Sequence, residues 1–186
     1  MAWKFFAPTN EINAVTALPS TAGDGDEILF VDSLSAPTYA WHLKYISAKS
    51  TNKWQFVGGS PMVAEVAANE SMTSTTYAAL TTAGPSVTVP VAGDYLVEFG
   101  ALIRGGSDNA LPSMSFSVGG TAASTADRID QGPSTAEQTY ASVSRAVKKS
   151  AVAASSAITA KYKVTSAGTG DFENRWLKVT PIAVGG

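Results

Sequence analysis

The chain has 186 residues, of which 45% are hydrophobic and 15% charged, with no cysteine and a single histidine. A disulfide scaffold and a zinc site of the usual kind both need residues that this composition lacks. With 13 Lys and Arg against 15 Asp and Glu, the formal net charge is −2, so no basic field would attract nucleic acid. No apolar run approaches the ~20 residues of a membrane helix, and the N-terminus does not have the form of a signal peptide. We therefore expect no nucleic-acid partner, no membrane insertion and no cofactor.

The composition favours strands over helices. The charged fraction is below the ~25% of an average domain, and Ser, Thr, Ala, Val and Gly take the place of charged residues. β-branched and aromatic residues recur in short alternating runs that are separated by Gly, Pro, Asn, Asp and Ser. The sequence predicts an all-β protein, in which a small N-terminal three-stranded meander is followed by an eight-stranded antiparallel jelly-roll sandwich. The expected division is an arm and linker over 1–26, a small β module over 27–60 and a jelly-roll domain over 61–186.

The N-terminal segment has a weak pattern. Ile12, Val15 and Leu18 fall three residues apart, and Pro19 closes the segment. This spacing is compatible with a short helix or with an arm, and termini often fray. We expect a loosely attached terminus, followed by a turn or linker over 20–26.

Three short runs then predict the meander, over 27–31, 40–46 and 53–57. Because side chains alternate along a strand, Trp41, Leu43 and Tyr45 share one face of the second run. A sheet of this size is not stable if its aromatic face is exposed to water. We therefore expect this face to be covered by the larger domain, by another subunit or by a ligand. Packing is the favoured interpretation, and the candidates for an interface or a sugar-stacking platform are Trp41, Tyr45, Trp54 and Phe56.

The remaining sequence predicts eight strands, over 62–69, 77–81, 86–90, 94–104, 113–119, 139–147, 156–165 and 172–184. Two of them alternate most clearly. In 156–165, apolar residues from Ile158 to Val164 alternate with Thr and Lys, and in 113–119 Met114, Phe116 and Val118 alternate with serines. Such alternation is typical of half-buried antiparallel sheet, so we expect the apolar faces to meet in one core.

The outward strand faces carry Ser and Thr where a free monomer would carry Lys and Glu. In 94–104 the face opposite the core includes Leu96 and Leu102. Strands without charged protection tend to pair with other chains. We therefore expect a homo-oligomer, most simply a trimer.

The candidates for catalysis are weak. His42 has Lys44 on its own face, and no Gly-x-Ser-x-Gly nucleophile motif occurs in the chain. Asp24, Asp26 and Glu27 lack the spacing of a helix-loop-helix calcium site, which favours a solvated turn. A carboxylate pair of the glycosidase kind is neither indicated nor excluded for Asp127, Asp130, Glu137, Asp171 and Glu173. We expect that the protein is not an enzyme.

Two further features have simple interpretations. Gly105-Gly106 and Gly119-Gly120 follow strands without a following helix, so they predict turns and not phosphate-binding loops. Arg145, Lys148 and Lys149 form the densest basic cluster, which is typical of a solvated rim, with surface attachment as the alternative.

Three strand sequences in a fixed order resemble a module of tail-fibre and minor tail proteins from tailed bacteriophages. They are GDEILF at 25–30, WHLKY at 41–45 and KWQFVGGSP at 53–61. The stretches SVTVPVAGDYLVEFGA at 86–101 and NRWLKVTPI at 174–182 resemble the jelly rolls that close such proteins.

This resemblance implies a virion structural protein, assembled in the bacterial cytoplasm as a trimer and bound to other phage proteins of the capsid or tail. Fibre proteins of this type carry a long shaft before the module. Here about twenty residues precede it, which favours a capsid decoration or head-fibre protein. The alternative is the receptor- or carbohydrate-binding head of a tail fibre, with a host surface glycan as its partner.

The predicted strand faces can be tested by substitution. Replacing Tyr162 or Phe116 with Asp should prevent soluble folding, because each change buries an unpaired charge. Replacing Lys161 with Asp should leave the soluble yield nearly unchanged, since Lys161 lies on the opposite face. The reverse ranking in a solubility assay would mean that the strand is displaced by one residue.

Overall fold

The computed structural model describes residues 12–105, 110–131, 139–165 and 168–185, and this part of the chain is all-β. It contains no α-helix, and therefore no helix that could cross a membrane. A single 3-10 turn spans Thr125–Asp127. The strands are β1 (Asn13–Val15), β2 (Glu27–Val31), β3 (Ala40–Tyr45), β4 (Trp54–Ser60), β5 (Met62–Val66), β6 (Glu70–Met72), β7 (Ser86–Thr88), β8 (Gly93–Gly105), β9 (Pro112–Val118), β10 (Ile129–Asp130), β11 (Ala141–Val152), β12 (Ala157–Val164) and β13 (Gly170–Val184).

The strands form two sheets that pack face to face. The larger sheet has nine strands in the order β1-β2-β3-β4-β13-β8-β11, with β5 and β6 also paired to β13. The smaller sheet has the order β10-β9-β12-β7. Every pairing is antiparallel except that of β1 with β2. The arrangement is consistent with the predicted β-sandwich.

Aromatic pairs join the two sheets. Phe99 of β8 meets Phe116 of β9 edge to face, with ring centroids 5.2 Å apart. Tyr162 of β12 packs on Phe172 of β13 at 4.9 Å. Such pairs add ~0.5–1.5 kcal/mol to the hydrophobic gain of burying the rings. The predicted alternation in β12 is confirmed, since all four alternate side chains from Ile158 to Val164 are buried.

The N-terminal segment is not a helix in the part that is described. Residues Asn13–Val15 form β1, which pairs in parallel with β2 and extends the edge of the sheet. Leu18 packs against the hydrophobic core. Val15 and Leu18 therefore contact the core without sharing a helical face, whereas Ile12 is 42% exposed. The predicted arm before residue 12 lies outside the described residues.

The predicted meander is confirmed, and it continues directly into the larger sheet. β2, β3 and β4 pair in succession, and β4 then pairs with the end of β13 through Trp54 and Val184. Trp41, Leu43 and Trp54 are buried in the same hydrophobic core as the residues of β8 and β12. The chain itself thus covers the aromatic face of the meander.

The segment between β4 and β7 differs from the prediction. The single strand expected over 62–69 is replaced by β5 and β6, and the strand expected over 77–81 is reduced to one bridge between Ala78 and Tyr162. The reason lies in the edge of β12. As the chain passes along this edge, three separate residues each accept one backbone amide of β12. The acceptors are the carbonyl oxygens of Ser74, Ala78 and Pro85, with N–O distances of 2.8, 2.9 and 3.0 Å. Isolated hydrogen bonds of this kind do not make a ladder.

The serine face of β9 also differs from expectation, because it does not face solvent. Ser113 and Ser115 are fully buried, and Ser117 is 8% exposed. The segment that follows β9 folds back over this face. Ser113 donates to Asp130 of β10, and the Ser115 hydroxyl donates to the Ser124 carbonyl at 2.8 Å. Buried hydroxyls need such partners, and the chain supplies them without a neighbouring subunit.

The close approach at Gly100 yields a stability prediction. A Cβ atom there would lie 2.6 Å from the carbonyl oxygen of Val143 and 2.8 Å from the Trp176 ring. Gly100→Ala should therefore lower the free energy of unfolding by about 1–3 kcal/mol, as overpacking does in a dense region. Urea unfolding followed by tryptophan fluorescence measures the change.

Gly58 of β4 provides the matched control. A Cβ atom at Gly58 would meet no atom within 4 Å, so Gly58→Ala should change the stability little. Equal destabilisation by the two substitutions would contradict the packing described for Trp176.

Candidate functional site

The four aromatic residues predicted as an interface or ligand platform are packing residues in this chain. Trp41 and Trp54 are 0% and 1% exposed, and Tyr45 and Phe56 are half-buried against the core. The Tyr45 ring meets the edge of Trp54 at 5.2 Å. A sugar-stacking platform needs exposed ring faces, which the two tryptophans do not offer.

The sequence did not indicate the aromatic stack that holds Trp41 in place. The Tyr39 ring lies 4.7 Å from the Trp41 ring on one side, and the Phe30 ring lies 5.5 Å away. Tyr95 of β8 meets Trp41 edge-on at 6.3 Å. Burial raises the pKa of the Tyr39 phenol to about 12. The stack ties the meander to the core of the larger sheet.

His42 and Lys44 share the carboxylate of Glu27 on the adjacent strand. Its Nε2 atom lies 2.8 Å from Glu27 Oε2, and Lys44 Nζ lies 3.2 Å from Glu27 Oε1. The hydrogen bond from Lys44, followed by that from His42, lowers the pKa of the Glu27 carboxyl. The three side chains brace the outer face of β2 and β3.

The acidic turn before β2 is closed by its own hydrogen bonds. Asp24 accepts the Ser47 amide and hydroxyl at 2.8 and 2.9 Å, and these bonds lower its pKa. Asp26 accepts the Gly23 amide at 2.7 Å. Among the residues that the structure describes, no group of three or more His, Asp or Glu side chains is arranged to hold a metal ion.

The carboxylates considered for glycoside hydrolysis are distributed over different ion pairs. Asp127 pairs with Lys149, Asp130 with Arg128, and Asp171 with Arg104. Glu173 lies opposite Leu102 in the register of β13 and β8, and Glu137 lies outside the described residues. A glycosidase requires two carboxylates that flank one bond. Each paired carboxylate here serves its own cation.

The predicted turns also have simple structural roles. Gly119 and Gly120 form a turn after β9 with φ angles of +56° and +83°. Gly105 ends β8, and Gly106 lies outside the described residues.

The basic cluster does not form one patch. In the pairing of β11 with β8, Arg145 and Lys149 lie opposite the core residues Phe99 and Tyr95, whereas Lys148 lies opposite Leu96 on the outer side. Arg145 Nη1 donates to the Arg128 carbonyl at 2.8 Å. Strand alternation therefore divides the three cations between two faces, which removes the concentrated charge that surface attachment would use.

The outer face of the larger sheet is the main candidate for an interface. Register places Val63, Lys178, Glu98 and Ala146 in one row across β5, β13, β8 and β11, and Glu65, Trp176, Gly100 and Ser144 in the next. Val63 is 55% exposed, and Trp176, Leu96 and Leu102 are partly buried. The Lys178–Glu98 pair, with an N–O distance of 2.8 Å, lies among these apolar groups.

The edge of this sheet is also open. Among the described residues, β11 pairs along one edge only, with β8, although it is 12 residues long. A long unpaired strand edge presents amide and carbonyl groups that another strand can bind.

The sequence was compared with protein-family models and with curated proteins. No family model matches the sequence, and no curated protein matches it significantly.

Asp94 links β11 to the loop before β4 and yields a pH prediction. It accepts the Ala151 amide at 3.0 Å and the Asn52 amide at 3.2 Å, and it pairs with Lys148. The hydrogen bond from the Ala151 amide is the main cause that lowers the pKa of the Asp94 carboxyl from its ordinary value of 3.8. Lys148 lowers this pKa further, whereas partial burial acts in the opposite direction. A lowered carboxyl pKa stabilises the fold above the unfolded-state pKa, and this gain is lost as the pH falls through the folded-state pKa.

Asp94→Asn should therefore lower the free energy of unfolding by about 1.5–3 kcal/mol near pH 7, the range for hydrogen bonds to a charged group. The loss should be smaller at an acid pH, where the carboxyl of the wild type takes up a proton, as denaturant unfolding at the two pH values would show. The control is Glu65→Gln on β5, whose side chain has no hydrogen bond or ion pair within the described ranges. An equal loss at both pH values would contradict the ionic role of Asp94.

Proposed function

We propose that the two sheets form a jelly roll, in which one long hairpin is wrapped into a sandwich. With β5 and β6 taken as one interrupted strand, the region from β5 to β13 has eight strands in chain order. The first pairs with the last, as β5 and β6 with β13, and the second with the seventh, as β7 with β12. The third pairs with the sixth, as β8 with β11, and the fourth with the fifth, as β9 with β10. Nested antiparallel pairs of this kind are the pattern of two linked Greek keys.

We further propose that the protein is a structural component of a bacteriophage virion, attached to the particle surface as a trimer. Its place is a capsid decoration or head fibre, or a minor tail protein, where it stabilises the particle or presents a surface to the host. The observation that carries this proposal is the continuous sheet in which β13 joins the meander to the nested strand pairs. The order of the module and the jelly roll is the order in the phage proteins that the sequence resembles.

The outer surface of the larger sheet supports self-assembly. The exposed Val63 and the partly buried Trp176, Leu96 and Leu102 leave some apolar area on the sheet that ends at the open edge of β11. Two of the nearby cations are neutralised within the chain, because Lys178 pairs with Glu98 and Lys148 with Asp94. These two ion pairs add no net charge to a contact between identical copies, and among the described residues Glu65 is the unpaired charge beside them.

The state of the candidate catalytic residues favours a structural role over an enzymatic one. The three paired candidate carboxylates are each bound to a cation. Nucleophilic and acid-base catalysis both need a group that is free to exchange a proton with a bound substrate.

The oligomeric state of the purified chain tests the assembly. Light scattering at micromolar concentration should give three times the 19.2 kDa of one chain. A monomer mass would contradict the proposed trimer.

The place in the virion is tested on purified particles by mass spectrometry and by antibody labelling in the electron microscope. Particles without this chain would overturn the proposal.

A charge at Val63 tests which surface is buried in the trimer. Val63→Lys should convert the trimer to a monomer, because the new ammonium group would lose its water in the interface. Its thermal unfolding should stay close to that of the wild type, since Val63 points away from the core. Ala154→Lys in the exposed loop between β11 and β12 is the matched control and should remain trimeric. A trimeric Val63→Lys variant would place the interface elsewhere.

A further inference from the structure

The smaller sheet carries a groove on the face that points away from the core. The floor is β12 beside β9, and the two rims are the loop before Tyr77 and the turn at 120–123. The groove has a volume of about 490 Å³, which is enough for a small saccharide. It is separate from the buried aromatic residues of the meander and from the outer face of the larger sheet.

Lysine and hydroxyl side chains make up most of the polar lining. In the register of β12 and β9, Lys161 lies opposite Ser115 and Lys163 opposite Ser113. Residues two apart on a strand share a face and lie about 6.5–7 Å apart along it. The two ammonium groups therefore belong to the same surface. The rims and floor add hydroxyl groups from Thr75, Thr76, Thr121 and Ser117.

The positive charge of these lysines is not neutralised by the protein. Within the described ranges, neither Lys161 nor Lys163 has a carboxylate within 4.0 Å, and no acidic residue lines the groove. The other lysines of β11 and β13, namely Lys148, Lys149 and Lys178, all have carboxylate partners. Lys49, Lys53 and Arg145 also have no carboxylate partner in this part of the chain, but Lys161 and Lys163 place two unpaired cations on the same face of one strand.

One of the two ammonium groups is held in position. Lys163 Nζ lies 4.7 Å from the centre of the Tyr77 ring, which is a favourable cation–π distance. The Tyr77 hydroxyl lies 3.3 Å from Ser113 Oγ, so the ring is anchored to β9. The nearby Asp130 carboxylate is occupied by Arg128 and Ser113. The groove therefore has one ammonium group in a fixed position.

The Thr121 and Ser117 hydroxyls donate to the carbonyls of Val118 and Thr159 and are left as acceptors, whereas the Thr75 hydroxyl has no hydrogen bond within the described residues.

We propose that this groove binds an acidic saccharide. A ligand carboxylate accepts hydrogen bonds from Lys161 and Lys163, and the hydroxyl groups of the sugar ring form hydrogen bonds with the threonine side chains of the rims. The uncharged hydroxyl lining suits a polyol, and the two unpaired ammonium groups select the anionic form. The proposal does not depend on the trimer or on a place in the virion, because every group in the groove comes from one chain.

The test is a titration of the isotope-labelled full chain, followed by amide NMR shifts. The probes are trigalacturonate and sialyllactose, which present a uronic acid and a sialic acid, with lactose as the neutral control. One or both acidic sugars should shift the amides of β12 and of the turn at 120–123, and added salt should weaken the binding. The acidic sugar that binds identifies the source of the carboxylate.

Two substitutions separate the groove from general charge effects. Lys161→Met should lower the affinity for the acidic sugar by about tenfold, the usual loss for one charge-assisted hydrogen bond. The temperature of thermal unfolding should not change. Lys49→Met removes the same charge from an exposed loop and should leave the affinity unchanged. The proposal is overturned if neither acidic sugar binds, if lactose binds equally well, if Lys161→Met binds like the wild type, or if the shifted amides lie outside the groove.

Discussion

The fold depends on β13, because this strand carries hydrogen bonds along both edges. One edge pairs with β8 from Gly170 to Val184, and the other is taken in succession by β6, β5 and β4. The three-stranded meander is thereby built into the same sheet as the strands of the sandwich. A register shift between Glu173 and Trp176 lets both Phe172 and Arg175 point inwards, although they are three residues apart. The buried Arg175 guanidinium faces the Tyr162 ring at 5.5 Å and Glu70 at 3.6 Å, so the irregularity in β13 also positions a charge inside the protein.

The hydroxyl-rich composition has two different structural consequences. On β9 the serines are covered by the segment that follows the strand, and Ser124 and Asp130 accept their hydrogen bonds. On the exposed part of the smaller sheet, the threonines stay open and line a groove with two lysines. On the larger sheet, by contrast, Val63 and the edge of β11 stay uncovered within the described part of the chain.

The small number of charged residues makes their pairing informative. The side chains first considered for catalysis or attachment, such as His42, Asp127 and Lys149, hold strands and loops together. Paired charges at a surface contribute little stability each. Lys161 and Lys163 differ from them because the described residues offer them no carboxylate. The proposed binding surface and the proposed assembly surface thus lie on opposite sheets, and one can be occupied without blocking the other.

The sequence alone determined the class of fold, the meander and the core faces of β8 and β12, because alternation with a period of two depends only on neighbouring residues in the chain. It also indicated that Trp41 and Trp54 are packing residues. It did not place the groove, the parallel β1, the covered serines or the division of Arg145, Lys148 and Lys149 between two faces. Those features are contacts between distant segments, such as Asp127 with Lys149 or Tyr77 with Lys163, and a local pattern carries no information about which segments meet. Only the tertiary structure decided which polar side chains are satisfied within the chain and which remain open to a ligand.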